Sequence, residues 1–256
     1  MQEIDIPKSL FRSQRILFLA GSYVEGFNTK TSDIDIYEIC TNENEKANRI
    51  WDYRKIQDIY ENGFHYEIEL INEETIKCIY KKLDYSINNQ DSQGFILSFN
   101  EYQIIWDVLI GVPISNESGL EKYKVVFSEK INEISTLLVN QNGLFVQNTY
   151  EDILGLIQAN DFYSGYFRSL DLLQRTADLL IAYKKILNTK SKWRYKKLEQ
   201  AGLIDFQRKY ISFFLAQVSD FEEFIKEIVL FCSNEISKVD LHKDKYQWID
   251  IEKFNG

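Results

Sequence analysis

Two aspartates separated by one residue, Asp33 and Asp35, are the side chains of this sequence whose types and spacing most directly suggest chemistry. Side chains of a strand alternate faces, so a strand through Ile34 and Ile36 projects both carboxylates from the same side. Carboxylates held that close repel, and the usual relief is a shared proton or a bound divalent cation. Upstream stand Gly21-Ser22 and Gly26, a turn that lets backbone approach a phosphate. Downstream, Glu67 and Glu69 form a second acidic pair with the same alternation, so a sheet uniting the two segments gathers up to four carboxylates around one point.

The elements that must position these groups read as follows. Ile16 to Ala20 is a short buried strand, and residues 21–39 hold the turn and the second strand. Asn42 to Lys46 is rich in helix-capping residues and opens an expected helix to about Tyr60, with Ala47, Ile50, Trp51, Ile56 and Ile59 apolar and Asn62-Gly63 ending it. A third strand spans Phe64 to Ile71 and a helix runs from Asn72 to about Leu83. Residues 85–98 read as a loop, Phe99 to Leu109 as a helix, and Gly111-Val112-Pro113 as its stop. A domain boundary is expected there, giving 1–115 as an α/β domain and 116–256 as a helical bundle, an α+β chain overall.

In the second part the expected helices are 119–139, 149–159, 161–188, 193–200, 205–217 and 219–238. The longest carries Phe162, Tyr166, Phe167, Leu170, Leu173, Ala177, Leu180, Ile181 and Leu187 at core-like spacing. A basic cluster, Lys190, Lys192, Arg194, Lys196 and Lys197, surrounds Trp193 and Tyr195. Helical spacing puts Lys192 beside Lys196 and Arg194 beside Lys197. Trp248 and Phe254 are candidate anchors for the tail, His65 reads as structural, and Asp161, Arg168 and Asp171 read as a charged helix face.

Composition sets the outer limits. The 256 residues are 45% apolar, enough for a sizeable core, and the net charge of −9 argues against a general nucleic-acid binder. Three distant cysteines without a CxxC spacing indicate neither a disulfide framework nor a zinc site. With no signal-peptide pattern and no apolar run near the ~20 residues that span a bilayer, the expectation is a cytoplasmic protein without a membrane partner.

Taken together, Gly21-Ser22, Gly26 and Ser32-Asp33-Ile34-Asp35 resemble the signature of the nucleotidyltransferase superfamily related to DNA polymerase beta. Over the whole chain, the two-domain layout looks like the kanamycin and lincosamide nucleotidyltransferases. The resemblance implies a polymerase beta-like mixed sheet, Mg²⁺ held by Asp33, Asp35 and a third carboxylate at Glu67 or Glu69, with Glu67 preferred. It also implies an NTP, ATP foremost, contacted by Gly21, Ser22 and Ser32 and clamped by Lys192 and Lys196. The implied reaction moves a nucleoside monophosphate to a hydroxyl of a small-molecule acceptor. The alternatives are a relative that modifies tRNA or a protein, and a nucleotide-binding module without catalysis.

Overall fold

A computed structural model describes residues 6, 15–40, 47, 49–51, 54–89 and 96–239. These divide into two units, one ending at Ile131 and the other running from Asn132. The expected capping run Asn42–Lys46 and the tail residues Trp248 and Phe254 lie outside the described residues.

The first unit is built on a six-stranded mixed sheet. Its strands are β1 (Ile16–Leu19), β2 (Ile34–Cys40), β3 (Arg49–Trp51), β4 (Arg54–Glu61), β5 (Phe64–Asn72) and β6 (Val112–Ser115), in the spatial order β3-β4-β5-β2-β1-β6. β2 and β5 run parallel at the centre, and every other pairing is antiparallel. One face carries Leu17, Leu19, Ile34, Ile36, Tyr66, Ile68 and Leu70 into a hydrophobic core with Tyr23. The helices of this unit are α1 (Gly21–Val24), α2 (Glu73–Asn88), α3 (Phe99–Ile110) and α4 (Glu117–Glu129). Asn72 caps α2 by accepting from the Glu74 amide, and Ser98 with Glu101 forms a reciprocal capping box at the start of α3.

The helix expected to end near Tyr60 is instead the hairpin partner of β5. Asn62 and Gly63 both have positive φ, 53° and 79°, as a two-residue hairpin turn requires. The pair reverses the chain between β4 and β5 and does not end a helix. Gly111-Val112-Pro113 likewise does more than stop a helix: Val112 to Ser115 pairs with β1 at the sheet edge, where proline costs no ladder hydrogen bond.

The second unit is helical, with α5 (Ile131–Gln158), α6 (Phe162–Tyr183), α7 (Arg194–Gln200), α8 (Ile204–Leu215) and α9 (Phe221–Ile236), and a 3-10 turn at Ser191–Trp193. The helix expected over 119–139 is two helices parted at Lys130, and α5 continues through the polar run Asn140-Gln141-Asn142, which is buried. α6 stops well before Leu187, and Lys185 takes a left-handed conformation at φ 62°. Its buried stripe is Gly165, Ser169, Leu172, Leu173, Thr176, Ala177 and Leu180, while Phe167 is exposed rather than in the core. α6 and α9 form the main helix pair, joined by Tyr166 against Phe221 and Phe224.

Candidate functional site

The site begins where β1 ends. Strand pairing continues past β1, with the Ala20 amide donating to the Asp35 carbonyl at 3.1 Å, so the turn is laid beside Asp35. Gly21 has φ 64° and is buried, and a Cβ placed there would stand 2.1 Å from Asp35 Oδ2. Glycine is therefore required twice, by its conformation and by the carboxylate resting on it. Ser22 is 8% exposed, and its carbonyl accepts from the amides of Phe27 and Asn28, folding the loop back on the turn. Ser32 uses its hydroxyl locally, accepting from the Thr29 amide at 2.8 Å.

Register fixes the neighbours. Asp35 stands opposite Glu67 on parallel β5, and Glu67 stands opposite Asp58 on antiparallel β4. One step toward the strand ends, His65 and Tyr60 are cross-strand partners on the same face. Asp33 immediately precedes β2 on that face, and its carboxylate is half-exposed. Glu69 pairs with Tyr37 one step deeper and is 5% exposed, so of the two glutamates Glu67 is the one level with Asp35.

His65 bridges two of these acids. Its Nδ1 lies 2.7 Å from Asp33 Oδ1 and its Nε2 lies 2.9 Å from Asp58 Oδ1. The Tyr60 ring stacks on it at 4.4 Å with a 3° interplanar angle. Each ring nitrogen thus has a carboxylate oxygen as its hydrogen-bond partner, and the tautomer sets which of the two donates. Burial lowers the imidazole pKa, but hydrogen bonds to Asp33 and Asp58 outweigh it and the net shift is upward from 6.5. Deeper on the same face, Tyr37 donates to Asp107 Oδ2 at 2.7 Å, and Gln103 donates to the same oxygen at 2.6 Å. Burial, with Asp107, Glu69 and Asp35 nearby, pushes the Tyr37 hydroxyl pKa well up.

Sequence patterns alone single out Asp33, Asp35 and Glu67 and miss Asp58, while His65 reads as structural. The signal for both is Asn62-Gly63: counting outward from a two-residue turn puts Tyr60 across from His65 and Asp58 across from Glu67.

The basic cluster of the helical unit separates into two kinds of residue. Arg194 forks onto both carboxylate oxygens of Asp178, at 2.8 and 2.9 Å, and reaches Gln174 at 2.7 Å. Lys197 is 2% exposed. The ammonium groups of Lys192 and Lys196 lie 5.0 and 5.3 Å from the Trp193 ring centroid, Lys192 in the 3-10 turn and Lys196 in α7. Asp161 caps α6, and Arg168 pairs with Asp152 and Asp171.

Among the described residues, no three His, Cys, Asp or Glu side chains converge as a ready metal cage, and no helix is long and apolar enough to cross a membrane.

Residues 5–93 match the family model of the nucleotidyltransferase domain. No curated protein sequence matches the chain significantly. Among solved structures, a nucleotidyltransferase-like protein from Exiguobacterium sibiricum 255-15 is similar at 13% identity and a TM-score of 0.49, over 89% of this chain and 70% of that one. The segment that carries the Gly-Ser turn, both aspartates and Glu67 thus belongs to the nucleotidyltransferase superfamily.

Proposed function

We propose that the chain moves a nucleoside monophosphate from an NTP, AMP from ATP, to a hydroxyl of a small-molecule acceptor. The observation that carries this reading is the seating of Asp35 on Gly21, which sets that carboxylate against the Gly21-Ser22 turn. Nucleotidyl transfer asks a protein for positioning and charge neutralisation more than for covalent chemistry. The Gly21-Ser22 turn takes the β- and γ-phosphates through backbone amides and the Ser22 hydroxyl.

The residues fit a hard divalent cation. Mg²⁺ is usually held through one or two carboxylates, with phosphate and water filling its remaining positions. A pair of aspartates without a preformed three-ligand cage meets that demand. Asp33 and Asp35 would hold it, with Glu67 lending an oxygen. When bound, the ion supplies charge neutralisation and a template for in-line displacement. The acceptor oxygen forms a bond to the α-phosphorus as the α–β anhydride bond breaks and pyrophosphate leaves. Glu67, level with Asp35, accepts the proton of the hydroxyl.

The test is ligand-linked stability. An NTP at about 100 times its Kd adds roughly 2.7 kcal/mol, about 5–10 °C for a chain of this size. Mg²⁺ with ATP raises the Tm by that order, and Asp33→Asn or Asp35→Asn abolishes the shift while the apo circular dichroism stays unchanged. A shift that survives both replacements sinks the proposal.

A further inference from the structure

We infer that Asp58 and His65 form a positioning chain that holds Asp33 for its cation, with the Tyr60 ring as the floor on which the imidazole lies. The inference rests on the reading of Asp33 as a cation ligand and adds two residues that no part of that reading requires.

Asp33 sits just before β2, outside the strand, with its carboxylate half-exposed. A side chain in that place keeps several rotamers open, and each costs a cation the free energy of selecting one. His65 removes that freedom by engaging Oδ1 alone at 2.7 Å, which leaves Oδ2 as the oxygen presented to a ligand. The imidazole is itself fixed on its other side. Asp58 Oδ1 holds Nε2 at 2.9 Å, and Tyr60 stacks within 3° of coplanar. All four residues stand on one face of the sheet at consecutive register positions, Asp58 and Tyr60 on β4, His65 on β5 and Asp33 at the edge of β2. The hairpin turn at Asn62-Gly63 sets that register, so the arrangement is built by the fold and not by chance meeting of long side chains. Groups behind a metal ligand are worth about 10–100-fold in metal affinity where they have been removed.

Mn²⁺ alone is the probe, with the free ion counted by electron paramagnetic resonance at one fixed pH. His65→Ala should weaken Mn²⁺ binding by about tenfold or more. Asp58→Ala should weaken it in the same direction, whereas Asp58→Asn, which keeps an oxygen to accept from Nε2, should retain most of the affinity. In a His65→Ala background, Asp58→Ala should cost clearly less than it does alone, because the chain carries its effect on the cation through the ring. A merely structural Asp58 would give additive losses.

Equal or tighter Mn²⁺ binding by His65→Ala overturns the inference, since the ring would then compete for Asp33 and not present it. Should His65→Ala lose its fold by circular dichroism, the Asp58 pair decides instead: weaker binding by Asp58→Ala than by Asp58→Asn supports the chain, and equal binding by the two overturns it. Asp33→Asn separates the two levels: if it leaves Mn²⁺ affinity unchanged, or if the wild-type protein binds no Mn²⁺, the cation reading itself fails. If Asp33→Asn abolishes binding while the His65 and Asp58 variants bind normally, only the positioning chain fails.

Discussion

Replacing Gly21 by alanine perturbs the site at its tightest point, and the structure separates the cost into two parts. The first is conformational. At φ 64° an alanine occupies the left-handed region, a cost of about 1–2 kcal/mol. The second is steric. The new methyl would lie 2.1 Å from Asp35 Oδ2 and 2.7 Å from its Cγ, so the carboxylate must retreat by about 1.3 Å before contact becomes ordinary at 3.4 Å. A displacement of about 1 Å at a reacting centre is worth about 10²-fold, or roughly 2.7 kcal/mol. Gly26 provides the control, since it has φ 72° with nothing within 4 Å of an added Cβ. Gly26→Ala should therefore lose stability by the conformational part alone and keep its affinity for nucleotide. Gly21→Ala should lose Mg²⁺-dependent affinity for an unreactive ATP analogue by about 10²-fold, measured by titration calorimetry, with chemical denaturation reporting stability. Introducing Asp35→Ala removes the two shortest contacts and leaves only the Cβ at 3.0 Å, so in that background the cost of Gly21→Ala should fall toward that of Gly26→Ala. Equal nucleotide affinity in Gly21→Ala and Gly26→Ala, or a Gly21→Ala stability loss that persists undiminished beside Asp35→Ala, refutes the reasoning.

Two further expectations concern other parts of the chain. Lys192 and Lys196 carry the phosphate-binding expectation of the helical unit; replacing both by alanine should weaken NTP binding by about 5–30-fold, the equivalent of 1–2 kcal/mol. Unchanged affinity in an equilibrium titration would limit both to their packing on Trp193. Glu101 accepts from Lys82 at 2.7 Å and from the Ser98 amide at 2.8 Å. Burial raises its pKa, but those bonds together outweigh it and the carboxyl falls below its usual 4.5. A depressed acid contributes stability that is present above its unfolded pKa and fades as pH falls through the folded value. Glu101→Gln should thus be less stable than wild type in urea at neutral pH, and the gap should close under acid conditions; a gap independent of pH would assign the loss to packing.

What the sequence reveals of the fold depends on whether a segment's pattern has one interpretation. β1, β2 and β5 are legible because a short apolar run and two alternating runs lie beside recognisable turns. The stretch ending at Tyr60 reads wrongly as a helix because Ile56 and Ile59 sit three apart, a helical spacing, although in β4 they serve opposite faces: Ile56 pairs across from Glu69, and Ile59 packs behind the core that includes Tyr66. The Asn-Gly pair decides between the two, as a hairpin turn and not a helix stop. That one misreading hides Asp58 and its contact with His65, because both become visible only when β4 is laid against β5. In α5 the failure has the opposite sense. Asn140 to Asn142 looks like a polar interruption, yet all three are buried within a continuous helix, where burial by tertiary packing overrides local polarity.

Glu67 and Glu69 show how register distinguishes positions that periodicity treats alike. Both glutamates face the same side, so alternation treats them alike. Parallel pairing of β2 and β5 puts Glu67 beside Asp35 and Glu69 beside Tyr37. One step along the sheet changes the surroundings from half-buried carboxylates to a closed polar layer, where Tyr37 and Gln103 both donate to Asp107 of α3. Asp107 is fully buried, and the Tyr37 hydroxyl it accepts from is held strongly protonated. That layer ties α3 to the sheet beneath the aspartates and bars the deeper positions from a ligand carrying several negative charges, since buried charge without compensation is costly. On the proposed reading, Glu69 belongs to the floor of the site and Glu67 to its working edge. Exchanging the two roles would require β5 to slip by two residues, which would also carry His65 away from Asp33 and Asp58.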